Sequence, residues 1–148
     1  MAQYRYTECG LDNVIIDGVE FIQDDFGEEV VCIPNVNDLH IAITKVILEQ
    51  KASMSGRELR FLRTELGLTQ AQLAELVRRE PLSISRWERG ECPLDSNAEA
   101  LIRIYAMQTL KMDNVAVKDI ISWCVTSAAK PPIHIDGSDP DNYRPLAA

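Results

Sequence analysis

No run of about 18 apolar residues occurs in the 148-residue chain, so the sequence offers no membrane span. The opening residues, MAQYRYTECG, hold no apolar signal core, and export is not expected. No C-x-x-C pair exists: Cys9, Cys32, Cys92 and Cys124 stand far apart and read as reduced thiols of a cytoplasmic protein. The chain has no Gly-rich phosphate loop and no H-E-x-x-H. His40 and His134 have no Ser or Cys partner at motif spacing, and the acid pairs Asp24-Asp25 and Glu28-Glu29 flank Gly27 as turn solvation would. Catalysis, a cofactor and a bound metal are therefore not expected.

Positive charge is scarce at the front. Residues 1–50 hold two cationic side chains, Arg5 and Lys45, against ten acidic ones. Residues 51–148 hold 13 of each sign, and within them the stretch 55–90 carries seven arginines and five acids. The net charge of −8 therefore sits entirely in the first third of the chain. Such asymmetry implies two modules with different partners. A nucleic-acid surface, which the net charge alone would argue against, remains open for the second.

What is present begins with short β-branched and aromatic segments: YRYTE, NVIID, VEFIQDD and EEVVCIPN. Cys9-Gly10, Asp17-Gly18 and Phe26-Gly27 punctuate them as turns. They predict a small antiparallel sheet over residues 3–34, too small to bury much alone. The stretch VNDLHIAITKVILEQ then turns helical. Leu39, Ile43, Val46 and Ile47 form a stripe that Ile41 and Leu48 widen, as in a linking helix packed on two sides.

The second module marks its helices by their starts. Ser55-x-x-Glu58, Thr69-x-x-Gln72 and Ser96-x-x-Glu99 are capping-box patterns, each opening an apolar-periodic run. The first run places Leu59, Leu62 and Leu66 on one face, the second turns Leu73, Ala74 and Val77 inward, and the third carries Ala98, Leu101, Ile102 and Tyr105. Between the second and third lies EPLSISRWERG. Pro81 suits the first position of a helix, where a missing N–H is no loss, and Gly90 suits the left-handed residue that closes one. A helix from Pro81 to about Arg89 turns Ile84 and Trp87 inward and leaves Leu82, Ser85, Arg86 and Arg89 outside. Two short helices joined by a tight turn, the second hiding a tryptophan and showing arginines, fit a major groove.

The segment LTQAQLAELVRREPLSISRWERG resembles, ungapped over 23 residues, the helix-turn-helix of the lambda-repressor/Cro-like (XRE) family, whose helical module would cover about 55–112. The resemblance implies double-stranded DNA as partner and a homodimer. It puts Gln70 on a phosphate at the start of the first motif helix and Ala74 at the crossing of the two. It makes Ile84 and Trp87 the core of the recognition helix, and it pairs Arg63 with Glu88 internally. The DNA-facing set is Thr69, Gln70, Arg78, Arg79, Leu82, Ser83, Ser85, Arg86 and Arg89. The family usually has glycine in the turn where this chain has Arg78. A left-handed arginine there costs about 1 kcal/mol.

The front module is similar in layout to antitoxins of the MqsA kind, in which an N-terminal zinc finger binds a toxin and the rear module represses the operon. YTECGLDNV carries that likeness, but the first C-x-x-C is replaced by Tyr6-x-x-Cys9 and only Cys32 could represent the second. A structural zinc needs four N or S ligands, so no metal is expected. An acidic front module facing a basic protein partner remains.

Beyond Leu110, NVAVKDIISWCVTSA aligns Val117, Ile120, Ile121 and Cys124 on one helical stripe, for the core or for a dimer interface. The Pro- and Asp-rich end, KPPIHIDGSDPDNYRPLAA, reads as an extended, mobile tail. The expected fold is α+β: an acidic domain over 1–50 with a small antiparallel sheet and linking helix, an all-α helix-turn-helix and dimerisation domain over 51–128, and a tail over 129–148. The expected function is a dimeric, sequence-specific repressor. The alternatives are an antitoxin that also binds a basic toxin, and an interaction module without DNA affinity.

Overall fold

The structure, a computed structural model, describes residues 2–112, 115–125 and 130–146. The chain forms two compact units, Met1–Val46 with Pro131–Ala148, and Ile47–Lys130. The layout is α+β: four strands, six helices and then two more strands among the described residues.

In the first unit, β1 (Gln3–Arg5) pairs antiparallel with β2 (Val14–Asp17). The hairpin β3 (Glu20–Gln23) and β4 (Glu29–Cys32) forms a separate two-stranded sheet. Gly10, Gly18 and Gly27 all adopt positive φ at the turns marked in the sequence. The principal sheet is not purely antiparallel, and the C-terminal stretch is not a free tail. Strand β5 (Ile133–Asp136) lies parallel to β2, and β6 (Arg144–Pro145) pairs antiparallel with β5, giving the order β1-β2-β5-β6. Alternation explains the correction. Ile133 and Ile135 are buried opposite Val14 and Ile16, so the IHID segment places its two isoleucines on the core face. A Pro- and Asp-rich composition hid a four-residue strand whose partner is more than a hundred residues away. Residues 129, 147 and 148 of the expected tail lie outside the described residues.

Helix α1 (Val36–Glu49) buries Leu39, Ile43, Ile47 and Leu48, while Ile41 stays exposed. In the first unit Tyr6 and His40 share a hydrogen bond of 2.8 Å between Oη and Nε2. Among the described residues no three His, Cys, Asp or Glu side chains gather as a metal site.

The second unit is helical: α2 (Gly56–Glu65), α3 (Gln70–Val77), α4 (Pro81–Glu88), α5 (Ser96–Thr109) and α6 (Val117–Cys124). Ser55 and Thr69 each form a complete capping box, with Glu58 and Gln72. The third start differs by one residue. Asp95 caps α5, accepting from the Ala98 amide at 3.2 Å, and Ser96 is already helical. A carboxylate is as good a cap as a hydroxyl, and the box pattern one residue on concealed it. That shift frees Glu99 for the interior.

There, Arg103 is fully buried. Its guanidinium donates to the carbonyls of Leu48 (3.2 Å), Gln50 (2.7 Å) and Ala52 (2.5 Å), and to Glu99 at 3.0 Å. Glu99 in turn accepts from the Met54 amide at 3.0 Å. Burial pushes the Glu99 carboxyl up, against the Met54 amide and Arg103, which favour its charged form. The stripe of α5 that faces inward is thus Ala98, Ile102 and Ala106 with Glu99 and Arg103, while Leu101 and Tyr105 of the same apolar run are exposed. On α6, Ile120 and Cys124 are buried and Val117 and Ile121 are exposed. Residues 126–128, expected to continue this helix, lie outside the described residues. No described helix is long and apolar enough to cross a membrane.

Candidate nucleic-acid interface

Helices α3 and α4 are joined by Arg78, Arg79 and Glu80. The turn needs a left-handed residue, and Arg78 takes that conformation at φ 58°, ψ 46°. Its amide donates to Glu75 O, and the next amide, of Arg79, donates to Ala74 O at 2.9 Å. The last carbonyls of α3 are therefore satisfied as they would be around a glycine. The strain of about 1 kcal/mol is carried by an exposed side chain that meets no obstruction in water.

Pro81 opens α4 at its first turn, and Gly90 at φ 74° closes it. Gly90 N donates to Trp87 O, and Glu91 N donates to Arg86 O at 3.0 Å. Between these ends α4 has two unlike faces. Ile84 and Trp87 are buried with Leu59, Leu62, Leu73 and Ala74 as the apolar core of the unit. Leu82, 55% exposed, and Arg86 face solvent, with Ser83 and Ser85 half-buried beside them. The end of α4 approaches the start of α2 closely. A Cβ on Gly56 would fall on the Trp87 carbonyl oxygen, so only glycine fits there.

An ion pair fixes the helix. Arg63 Nε donates to Glu88 Oε2 at 2.6 Å and Nη2 donates to Oε1 at 3.1 Å, a two-point contact. Arg63 Nη1 also donates to the Leu68 carbonyl at 2.9 Å. The Glu88 side chain is 4% exposed and that of Arg63 is 15% exposed. Gln70, which the resemblance assigns to a phosphate, here donates from Nε2 to Glu88 Oε1 at 3.2 Å. It joins α3 to the same carboxylate.

The remaining cations divide. Arg79 pairs with Asp95 at 2.7 Å, and Arg89 with Glu91 at 3.2 Å. Among the described residues, no ion pair holds Arg78 or Arg86. Thr69 is exposed, and its box engages its own amide and that of Gln72. The first-turn amides of Gln70 and Ala71 have no intrahelical acceptor and face the same end. The structure therefore brings Arg63, Glu88 and Gln70 together behind α4. It leaves Thr69, Arg78, Leu82 and Arg86 on the outside.

Two acids shape this surface: Asp95, which the sequence did not single out, and Glu91, which it offered only as a surface acid. Each lies in the loop after α4, where an acid reads as loop solvation until the fold sets it beside an arginine.

Glu88 and Glu91 provide a matched test. Glu88→Ala strands a guanidinium that is mostly buried and takes an acceptor from Gln70, which is expected to cost about 3 kcal/mol. Glu91 is half exposed, so Glu91→Ala should change little. In thermal melts Glu88→Ala should lie lower by about 10 °C or more. Equal melting temperatures would show that the pair does not hold the helix.

Comparison with known families adds one match. The model of a family described as a helix-turn-helix domain matches residues 56–113. No curated protein and no solved structure matches the chain. The matched segment takes in α2 to α5, with the α3–turn–α4 pair at its centre. The second unit of this chain carries a helix-turn-helix domain.

Proposed function

We propose that the protein is a sequence-specific transcriptional regulator, a dimeric repressor that reads an inverted repeat in double-stranded DNA in the cytoplasm. The observation that carries this reading is the two-faced helix α4. Its inner face is locked by Trp87 and the Arg63–Glu88 pair, and its outer face presents Leu82 and an uncommitted Arg86. The net charge of −8 does not oppose it, because the acidic excess belongs to residues 1–50.

Readout follows from chemistry. Arg86 can donate two bonds to guanine O6 and N7, and Leu82 can lie against a thymine methyl. Ser83 and Ser85 can bond a base edge or a phosphate. Pro81 has no polar reach, so few side chains read bases directly and DNA shape contributes. Arg78, Arg89 and the start of α3 at Thr69 supply phosphate contacts.

A gel shift on the DNA upstream of the chain's own gene, at stated salt, tests the reading. Arg86→Ala should weaken specific binding by about 1–3 kcal/mol and relax preference at one base pair. Arg89→Ala should weaken binding to every sequence. Unchanged affinity and preference in Arg86→Ala would place the recognition face elsewhere. No shift by the wild type would leave the domain as a protein-interaction module.

One recognition helix spans too few base pairs for a unique site, so a two-fold dimer is required, with half-sites about one helical turn apart. The support is an apolar groove between α5 and α6, lined by Ala100, Leu101, Ile104, Ile121 and Val125. Leu101, Ile121 and Val125 are each at least half exposed there. Light scattering should show a dimer at concentrations that saturate the DNA, and Ile121→Glu should make it monomeric. A monomeric wild type bound to DNA would sink this assembly.

A second reading, antitoxin-like capture of a basic protein, is favoured by the β3–β4 hairpin. Phe21, Ile22 and Val30 are exposed on its two faces, and Phe26 at its tip is 90% exposed. Glu20, Asp24, Asp25, Glu28 and Glu29 surround them. Apolar strands ringed by acids suit a basic partner surface. A small basic protein encoded beside this chain should co-purify with it, and Phe21→Ser with Ile22→Ser should abolish that. An undiminished yield with the double variant would rule out the hairpin as the contact.

A further inference from the structure

The two arginines that flank the outer face of α4 are not free. Arg79, in the turn before the helix, donates from Nη2 to Asp95 Oδ2 at 2.7 Å. Arg89, at its end, donates from Nη2 to Glu91 Oε2 at 3.2 Å. Arg86, between them, is exposed and held by no ion pair among the described residues. The Arg79 pair is the better built of the two. Its carboxylate is anchored, because the same Oδ2 also accepts from the Ala98 amide as the cap of α5. The Arg89–Glu91 pair joins two side chains that are each more than half exposed, two residues apart in sequence.

A DNA phosphate reaching the Arg79 guanidinium would have to displace Asp95, which already occupies it. Arginine is charged at every working pH. The competition is therefore between two anions for one cation. An internal anion costs DNA its counterion-release gain at that contact, which is the part of affinity that does not depend on sequence. Contacts made by Arg86 to base edges are untouched.

We propose that Asp95 holds down the sequence-independent DNA affinity of this domain by sequestering Arg79 in an internal ion pair, and so acts as a determinant of specificity. The proposal rests on the DNA-binding reading above. It makes Asp95 a residue that acts through Arg79 and reads no base. It also revises the role of Arg79, which becomes a phosphate contact only when the pair opens.

Asp95→Asn tests it with little risk to the fold, since asparagine caps a helix as well as aspartate does. The probe is a short duplex of arbitrary sequence, titrated by fluorescence anisotropy over a series of salt concentrations, with thermal melts alongside. Asp95→Asn should bind the duplex roughly 3- to 10-fold more tightly at about 0.1 M salt, with a salt slope steeper by about 0.9, the increment of one added phosphate contact. The gain should disappear in the Asp95→Asn/Arg79→Ala double variant. A gain that persists in that double variant would overturn the proposal, because Asp95 would then act only as a repelling charge. So would an unchanged slope in Asp95→Asn while the wild type binds. A wild type that binds neither this duplex nor its own upstream DNA would instead sink the DNA-binding reading, and the inference with it.

Discussion

The helical unit depends on one buried guanidinium. Arg103 has no exposed surface, yet it makes four hydrogen bonds: three to backbone carbonyls where the chain leaves α1, and one to the Glu99 carboxylate one turn earlier on its own helix. Those carbonyls would otherwise be unpaired at a helix end with no basic residue in its last turn. The pair adds little net stability over an apolar core, because desolvation offsets attraction. What it adds is a direct link between α5 and the chain leaving α1. Cys124 of α6 lies beside the same carboxylate. Its thiol is pushed up to about 12, by burial first and then by the Glu99 charge, so it is a packing group and not a reactive one.

On that frame the recognition helix is positioned by contacts of short reach. Gly56 lets the end of α4 sit against the start of α2, and the two-point Arg63–Glu88 contact fixes its rotation. Gln70 brings α3 to the same carboxylate. A helix of eight residues has little stability of its own, so its orientation comes wholly from these contacts and from Trp87. The strained Arg78 belongs to the same economy of space. A glycine would relax the turn, but it would remove an exposed cation from the outer surface.

Local signals were legible. The Ser55 and Thr69 boxes, Pro81 before a helix and Gly90 after one are short-range devices whose partners lie within four residues, and each appears in the structure. The buried set of α3 and α4 was legible too, because 3.6-residue periodicity does not depend on what it packs against. Which residues of the α5 run face inward was not legible, for a related reason. Periodicity locates an apolar stripe, and on α5 a second stripe of alanines, isoleucine, glutamate and arginine took the interior instead. The Glu99–Arg103 spacing of four residues was a visible signal of that stripe.

What the sequence by itself determined is the order of elements from β1 to α6, the ends of α2, α3 and α4, the helix-turn-helix and the acidic character of the first fifty residues. These follow from backbone sterics, hydrogen-bond reach and charge, which act over a few residues. Only tertiary structure decided that Ile133–Asp136 enters the sheet beside β2, that Asp95 meets Arg79, and that a guanidinium from α5 closes the end of α1. Each joins residues from 16 to more than a hundred positions apart. No local propensity encodes such a meeting; it exists because packing of the whole core brings those groups together.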